Sequence, residues 1–180
     1  MSAAEKDRPV RVAVLTVSTS ASQGRREDRS GSALAQALAA TGAEVVSRAV
    51  VADDQAAIEA VLRRWVDEGV AVILTTGGTG LTPDDVTPEA TRAVIEREAP
   101  GFAEALRAEA LRHTPMGLLS RGVAGLAGRS LIVNFPGNPR AIEETFGVLA
   151  GTLGHVAATL AGRGDHDSGP RDGAHGDGVP

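Results

Sequence analysis

A chain of 180 residues with a formal net charge of −5 is long enough for one domain around a single core. Three Phe, one Trp and no Tyr leave few rings for base stacking, and the acidic balance argues against a nucleic-acid backbone as partner. The lack of cysteine excludes disulfides, thiolate nucleophiles and cysteine metal sites, and no apolar run approaches the ~20 residues of a membrane span.

Residues 1–9 are polar, lack the apolar core of a signal peptide, and read as a flexible N-terminus. A cytoplasmic protein with no membrane partner is the expectation. Val10–Val17 is continuously apolar, as a central strand of a parallel sheet is. A polar loop, Ser18–Arg29, follows, in which Arg25 and Arg26 could close over a site. Ser30 or Ser32 would cap a helix running to about Ala40, ended by Thr41-Gly42. Glu44–Val51 reads as the second strand, and one of Asp53 and Asp54 could cap the next helix. In that helix Ile58, Val61, Leu62, Trp65 and Val66 form one stripe, which places Trp65 in the core. Gly69 closes it.

The apolar run Val70–Ile73 then enters the most informative stretch, LTTGGTGLTPDDVTPEA, residues 74–90. Glycines permit a tight turn and bring bare N–H groups close to a ligand. Thr76 and Thr79 could add hydroxyl donors to Gly77, Gly78 and Gly80. Carboxylates directly after a phosphate cradle repel it unless a divalent cation lies between them. The spacing matches neither a Walker A loop nor G-x-G-x-x-G, and a plain βα connection is the competing reading. Asp85 could equally cap the helix that starts at Thr87.

Two helices are predicted beyond it, Thr87–Glu98 and Pro100–Arg112, with extended edge segments between Thr114 and Gly128. Ser130–Phe135 is the fourth strand, Pro136–Arg140 a tight turn, and a final helix runs to about Ala161. Its small residues, Gly147, Gly151, Gly154, Ala158 and Ala161, suggest close packing against the sheet or a neighbouring subunit. Residues 163–180 hold almost nothing apolar and read as a disordered tail; His166 and His175 make only a weak metal tract. No histidine is placed for acid–base work. Alternating strands and helices give an α/β fold, whose ligands bind beyond the carboxyl ends of the strands. Ser18, Asp53, Gly77 and Gly137 all fall at such ends.

TTGGTG, LTPDD and VTPEAT, with DRSG upstream and SRGVAG and GRSLIVNFPGNP downstream, resemble the MoaB/Mog family of molybdenum cofactor biosynthesis proteins. The same domain type occurs in plant and animal molybdopterin adenylyltransferases, including gephyrin. The resemblance covers residues 10–162. It implies a three-layer α/β/α sandwich with a mostly parallel sheet, and a homo-oligomer, a trimer with a hexamer as alternative. The implied activity is Mg²⁺-dependent transfer of the adenylyl group of ATP to the terminal phosphate of molybdopterin, releasing pyrophosphate. Asp53 and Asp85 match the family's two acidic positions and become the catalytic and metal-binding candidates. Thr76, Gly77, Gly78, Thr79, Gly80, Gly137 and Asn138 match its nucleotide-phosphate loops. Ser18, Ser120, Arg121 and Arg140 become the pterin candidates. The chain departs at Ala52, where Pro is common, and at Phe135, Asn138 and Arg140, where Leu, Ser and Lys are. A non-catalytic or weakly active paralogue that carries molybdopterin is the alternative. Enzymes acting on nicotinamide nucleotides, the molybdate-inserting step and a generic nucleotide-binding domain are further ones.

Overall fold

The computed structural model describes residues 9–162. The expectations for residues 1–8 and 163–180, His166 and His175 included, lie outside the described residues. The strands are β1 (Arg11–Val17), β2 (Glu44–Val51), β3 (Val72–Thr76), β4 (Arg97–Glu98), β5 (Ala124–Ala127) and β6 (Ser130–Phe135). The helices are α1 (Thr19–Ser22), α2 (Arg29–Ala39), α3 (Gln55–Asp67), α4 (Thr87–Arg92), α5 (Pro100–His113), α6 (Pro139–Thr145), α7 (Gly147–Ala150) and α8 (Leu153–Leu160). A 3-10 turn spans Pro115–Leu119.

All six strands form one sheet in the order β2-β1-β3-β6-β5-β4. The first four in that order run parallel; β5 and β4 extend one edge antiparallel. Successive side chains of a strand point to opposite faces, so each central strand feeds two cores. Val12 and Val14 of β1, Val72 and Leu74 of β3, and Leu131 and Val133 of β6 pack with Leu34 and Leu38 of α2, Leu106 of α5 and Ile142 of α6. Ala13 and Leu15, Ile73 and Ile132 face the other way, onto Ile58, Leu62 and Trp65 of α3 and Ala90 of α4. Helices therefore cover both faces, giving the three layers that unbroken apolar strands require. Trp65 is 1% exposed, in the core as its stripe predicts.

Several expectations change. The cap of α2 is Asp28, whose carboxylate accepts from Gly31 N at 2.8 Å, not Ser30 or Ser32. The same Asp28 carboxylate also accepts the Thr16 hydroxyl at 3.0 Å, so it joins the helix to β1. The helix from Thr87 stops at Arg92 rather than Glu98. Glu96 N and Ala99 N donate instead to Leu126 O and Ala124 O, at 2.8 and 2.9 Å, which makes Arg97–Glu98 an edge strand. Of the extended edge segments expected between Thr114 and Gly128, only Ala124–Ala127 is a strand, β5, which lies inside the edge strand β4, while Pro115–Leu119 is the 3-10 turn.

The long final helix is broken into α6, α7 and α8. Its glycines are exposed, and a Cβ placed at Gly147, Gly151 or Gly154 meets nothing within 4 Å. Close packing of that stripe within the chain is thus not what the glycines serve. Gly151 is in right-handed helical conformation, φ −70 and ψ −12, where alanine lowers the entropy of the unfolded state at no steric cost. Gly151→Ala should therefore raise stability by about 0.5–1 kcal/mol in thermal or denaturant melts. A loss instead would place that face against another copy.

Candidate active site

The path of the chain creates a crevice. From β1 it passes through α2 to β2 on one side, then through α3 to β3 on the other side of β1. The carboxyl ends of β1 and β3 therefore diverge, and such a switch point is where open parallel sheets bind ligands. A cleft of about 250 Å³ opens there, lined by Thr16, Ser18, Ser20, Arg26, Gly77 and Gly137. Beside it, between α5, the 3-10 turn and the start of α6, is a mostly apolar cavity of about 210 Å³. Leu106, Met116, Ser120, Asn134, Asn138 and Glu144 are among its walls. The turn Pro136-Gly137-Asn138 borders both.

The glycine loop is built from its own exclusions. Gly77 has φ +94 and Gly78 φ +61, conformations that disfavour any side chain. A Cβ on Gly77 would strike the Val17 carbonyl oxygen, and one on Gly137 would come 3.1 Å from the Gly77 Cα. Bare backbones from β1, β3 and β6 thus meet at this point. Thr87 fastens the loop from beneath: its hydroxyl donates to Gly77 O at 2.8 Å and its N–H to Gly78 O at 3.0 Å.

Thr76, expected to offer its hydroxyl to a ligand, is fully buried and donates to the Pro136 carbonyl at 2.7 Å. It ties the two loops together. Thr79 is 6% exposed, and its carbonyl accepts from Arg121 N at 2.9 Å. Under the loop, the Asn134 amide donates to Thr75 and Thr91, both at 2.9 Å, and accepts from Val123 N at 3.1 Å. Among the described residues no buried side-chain N or O lacks a partner. A lone amide inside the apolar run SLIVNF was the available signal for this hub.

Of the two aspartates after β2, Asp54 caps α3, accepting from Ala57 N at 2.8 Å. Asp53 is left to face β1. Its Oδ2 accepts both the N–H and the hydroxyl of Thr19 at 2.7 Å, and Asp53 N donates back to Thr19 Oγ1 at 3.0 Å. This latch closes the first loop onto the second strand's exit; the sequence reading had missed Thr19. Thr19→Val should cost roughly 1–2 kcal/mol by denaturant melting, because Asp53 then keeps one of its three bonds to residue 19.

Asp85 does not cap α4: the N-cap residue is Val86, with no side-chain bond. Its carboxylate accepts instead from Thr82, from N at 2.9 Å and from Oγ1 at 2.5 Å. Gly80 permits this arrangement, since a Cβ there would lie 2.9 Å from Asp85 Oδ2. Partial burial pushes the Asp85 carboxyl up. The Thr82 bonds, the Gly80 N–H and the charge of Arg121 outweigh that and hold it below the usual carboxylate range. Asp85 is therefore an anion at neutral pH. Asp84 is exposed.

The remaining candidates divide. Ser18 caps α1 through Ala21 N at 3.3 Å and lines the polar cleft. Asn138 caps α6, accepting from Arg140 N at 3.0 Å. Ser120 and Asn138 line the apolar cavity. Arg140 is exposed and paired with Glu144 at 2.8 Å. Arg121, expected among the pterin contacts, directs its guanidinium at protein: Nε to Gly80 O at 2.7 Å, Nη2 to Asp85 O at 2.5 Å, and Nη1 to Glu89 Oε1 at 2.5 Å.

A sequence profile described as "Probable molybdopterin binding domain" matches residues 13–155. The chain belongs to the MoaB/Mog family of molybdenum cofactor biosynthesis proteins. Over 151 residues it is 40% identical to a protein of Escherichia coli K12 named molybdopterin adenylyltransferase, covering 82% of this chain and 77% of that one. The molybdenum cofactor synthesis protein cinnamon of Drosophila melanogaster is 42% identical over 145 residues; the match spans 79% of this chain but only 24% of the fly protein. Among solved structures, the molybdopterin biosynthesis enzyme MoaB of Thermus thermophilus superposes with a TM-score of 0.80 at 46% identity, over 85% of this chain and 97% of that one. A molybdopterin biosynthesis protein of Mycobacterium abscessus gives 0.81 at 36% identity, over 86% and 98%. The three-layer fold with its mostly parallel sheet is thus that of the MoaB/Mog family.

Proposed function

We propose that this MoaB/Mog protein is a molybdopterin adenylyltransferase. An oxygen of molybdopterin's terminal phosphate attacks the α-phosphorus of ATP. The bond from that phosphorus to the bridging α–β oxygen breaks, and pyrophosphate leaves with its electron pair. The observation that carries this reading is the pairing of two unlike cavities across one turn. The apolar cavity suits a flat pterin ring, with Ser120, Asn138 and Glu144 available to its polar edge. The neighbouring cleft is lined by hydroxyls, backbone glycines, Arg26 and Arg29, with Glu27 and Asp28 also in its wall, and suits phosphates accompanied by a cation. A substrate lying across Pro136-Gly137-Asn138 would present its phosphate to the glycine loop. Names borne by the relatives support the same reaction.

Two anions must meet, so positioning and charge neutralisation make up most of the catalysis. Asp53 and Asp85 would hold Mg²⁺. The Thr19 and Thr82 bonds fall on Oδ2 of Asp53 and of Asp85, which supports Oδ1 of each acid as the oxygen offered to a cation. Among the described residues no three acids or histidines cluster as a closed metal cage. That donor set suits Mg²⁺, which takes one or two carboxylates and completes its shell with phosphate oxygens and water. The ion would supply charge neutralisation at the transferring phosphoryl group. The chain's own residues do the rest. The Gly77–Gly80 amides orient the phosphates, Thr76 keeps the two loops in register, and the latch at Asp53 holds the first loop in place.

The proposal includes a cytoplasmic homo-oligomer, trimer or hexamer. Exposed Leu111, Met116, Leu118 and Leu119, beside the apolar cavity, support self-association. No described helix is long and apolar enough to cross a membrane.

Purified protein with molybdopterin, ATP and Mg²⁺ should yield adenylylated pterin and pyrophosphate in equal amounts. Bound pterin without product would favour the carrier reading. Light scattering of the same sample gives the subunit count.

A further inference from the structure

Arg121 sits in an extended segment whose neighbours, Ser120 and Gly122, line the apolar cavity. Its own side chain leaves that wall and grips the loop carrying Asp85. Five contacts are made over a short reach. The backbone N–H meets Thr79 O at 2.9 Å, and Nε meets Gly80 O at 2.7 Å. Nη2 meets Asp85 O at 2.5 Å and Glu89 Oε2 at 3.3 Å; Nη1 meets Glu89 Oε1 at 2.5 Å. The guanidinium thus holds the first and last residues of the segment Gly80–Asp85 and the first turn of α4 in one plane. Only an arginine has donors in that fixed fork. Within the segment Asp85 bonds Thr82, but those bonds close the loop on itself and do not tie it to the rest of the fold. Leu81 to Asp84 are exposed, and Leu81 is 65% exposed despite its apolar side chain.

We infer that Arg121, with Glu89 as its anchor, is a positioning residue that sets the placement of Asp85 for adenylyl transfer and does not itself bind the pterin. The inference rests on the transferase reading for its catalytic half. Thr82 orients the Asp85 carboxylate within the loop, but the exposed six-residue loop is itself placed only where both of its ends are held. The carbonyls of Gly80 and Asp85 are the two ends, and one side chain binds both. Glu89 completes the device: its two oxygens orient the guanidinium, and the ion pair holds Glu89 below its usual carboxylate range.

The test uses the full chain with Arg121→Lys, Arg121→Ala and Glu89→Gln. Lysine keeps the charge but cannot reach three acceptors in a plane. Both Arg121 variants should lose roughly 10²-fold in kcat, as a displaced catalytic group does. Their Kd for molybdopterin, measured without ATP, should stay within about threefold of wild type. Glu89→Gln keeps both carbonyl contacts and should lose less. The readout apart from activity is amide hydrogen exchange. Peptides covering 80–86 should exchange on the order of tenfold faster in the Arg121 variants, while β3 and β6 keep their protection. Unchanged exchange in that segment would overturn the clamp. So would a large loss of pterin affinity with normal kcat, which would make Arg121 a substrate contact. If the wild type transfers nothing, the transferase reading fails, and exchange alone decides the clamp. If either Arg121 variant fails to fold, Glu89→Gln carries the same comparison.

Discussion

Asp85→Ala should lower the rate of adenylyl transfer by about 10²–10³-fold, the usual consequence of losing one charge-organising group at a transferring phosphoryl. Molybdopterin should still bind, because the apolar cavity does not include Asp85. The alanine variant also loses the bonds to Thr82, so it confounds charge with loop shape. Asp85→Asn separates them: the amide oxygen can still accept from Thr82 N, but the negative charge is gone. Both should fail equally if Mg²⁺ is the target of the acid. Near-normal turnover in the Asn variant, with the Ala variant dead, would reduce Asp85 to a loop-shaping residue. The sign of the pH effect follows from the lowered carboxyl. Stability contributed by ionised Asp85 is complete above the ordinary carboxylate range and is lost as pH falls through the lowered folded value. Melting temperatures of wild type and Asp85→Asn should therefore converge as the medium is acidified through that value.

Gly77→Ala should be the most damaging single methyl group that can be added to the site. The position needs φ +94, and the new Cβ would drive into the Val17 carbonyl. Relief requires β1 to part from β3 or the loop to turn over, and the Gly77–Gly137 approach is lost in either case. A left-handed conformation alone costs roughly 1–2 kcal/mol for an alanine, and overpacking adds about 1–3. The sum corresponds to a fall in Tm of about 4–20 °C for a domain of this size. Gly101→Ala is the control. Gly101 has no positive φ and no neighbour within 4 Å of an added Cβ, so it should melt near wild type. Equal melting of the two variants would mean that the loop adapts and that the glycine serves the ligand only.

Much of the architecture was legible because it is written in local pattern. Glu44–Val51 and Ser130–Phe135 are apolar, β-branched runs bounded by turn residues, and both strands have those bounds. The error after Thr87 has a tertiary cause. Val94 and Ile95 continue a helical spacing, but the backbone that follows is claimed by β5 more than 25 residues later. No local signal carries that. The final helix was overextended because a favourable apolar period runs straight through Phe146 and through Gly151-Thr152, where the helix is interrupted. At the site, the strand ends predicted that Ser18, Asp53, Gly77 and Gly137 would fall on one edge of the sheet. They did not say which donors would be consumed by protein. Thr76 and Arg121 look like ligand groups in sequence because Pro136 O and the Gly80 and Asp85 carbonyls, 60, 41 and 36 residues away, are invisible there.

Those separations bear on when the protein can first work. Thr76 reaches Pro136 across 60 residues, Ser130 reaches Val70 across 60, and Asn134 reaches Thr75 across 59. Every one of these bonds joins β3 to the region of β6, so the cradle closes only when a long stretch of chain has come home. Contacts so distant in sequence are slow to form, since loop-closure entropy is lost before the bonds compensate for it. During synthesis, β1, β2, α3 and β3 can gather while the glycine loop still lacks its partner wall. Ligand affinity should consequently switch on late, as β6 emerges and docks. Molybdopterin or ATP added during refolding should leave the early phases untouched and stabilise only the last one.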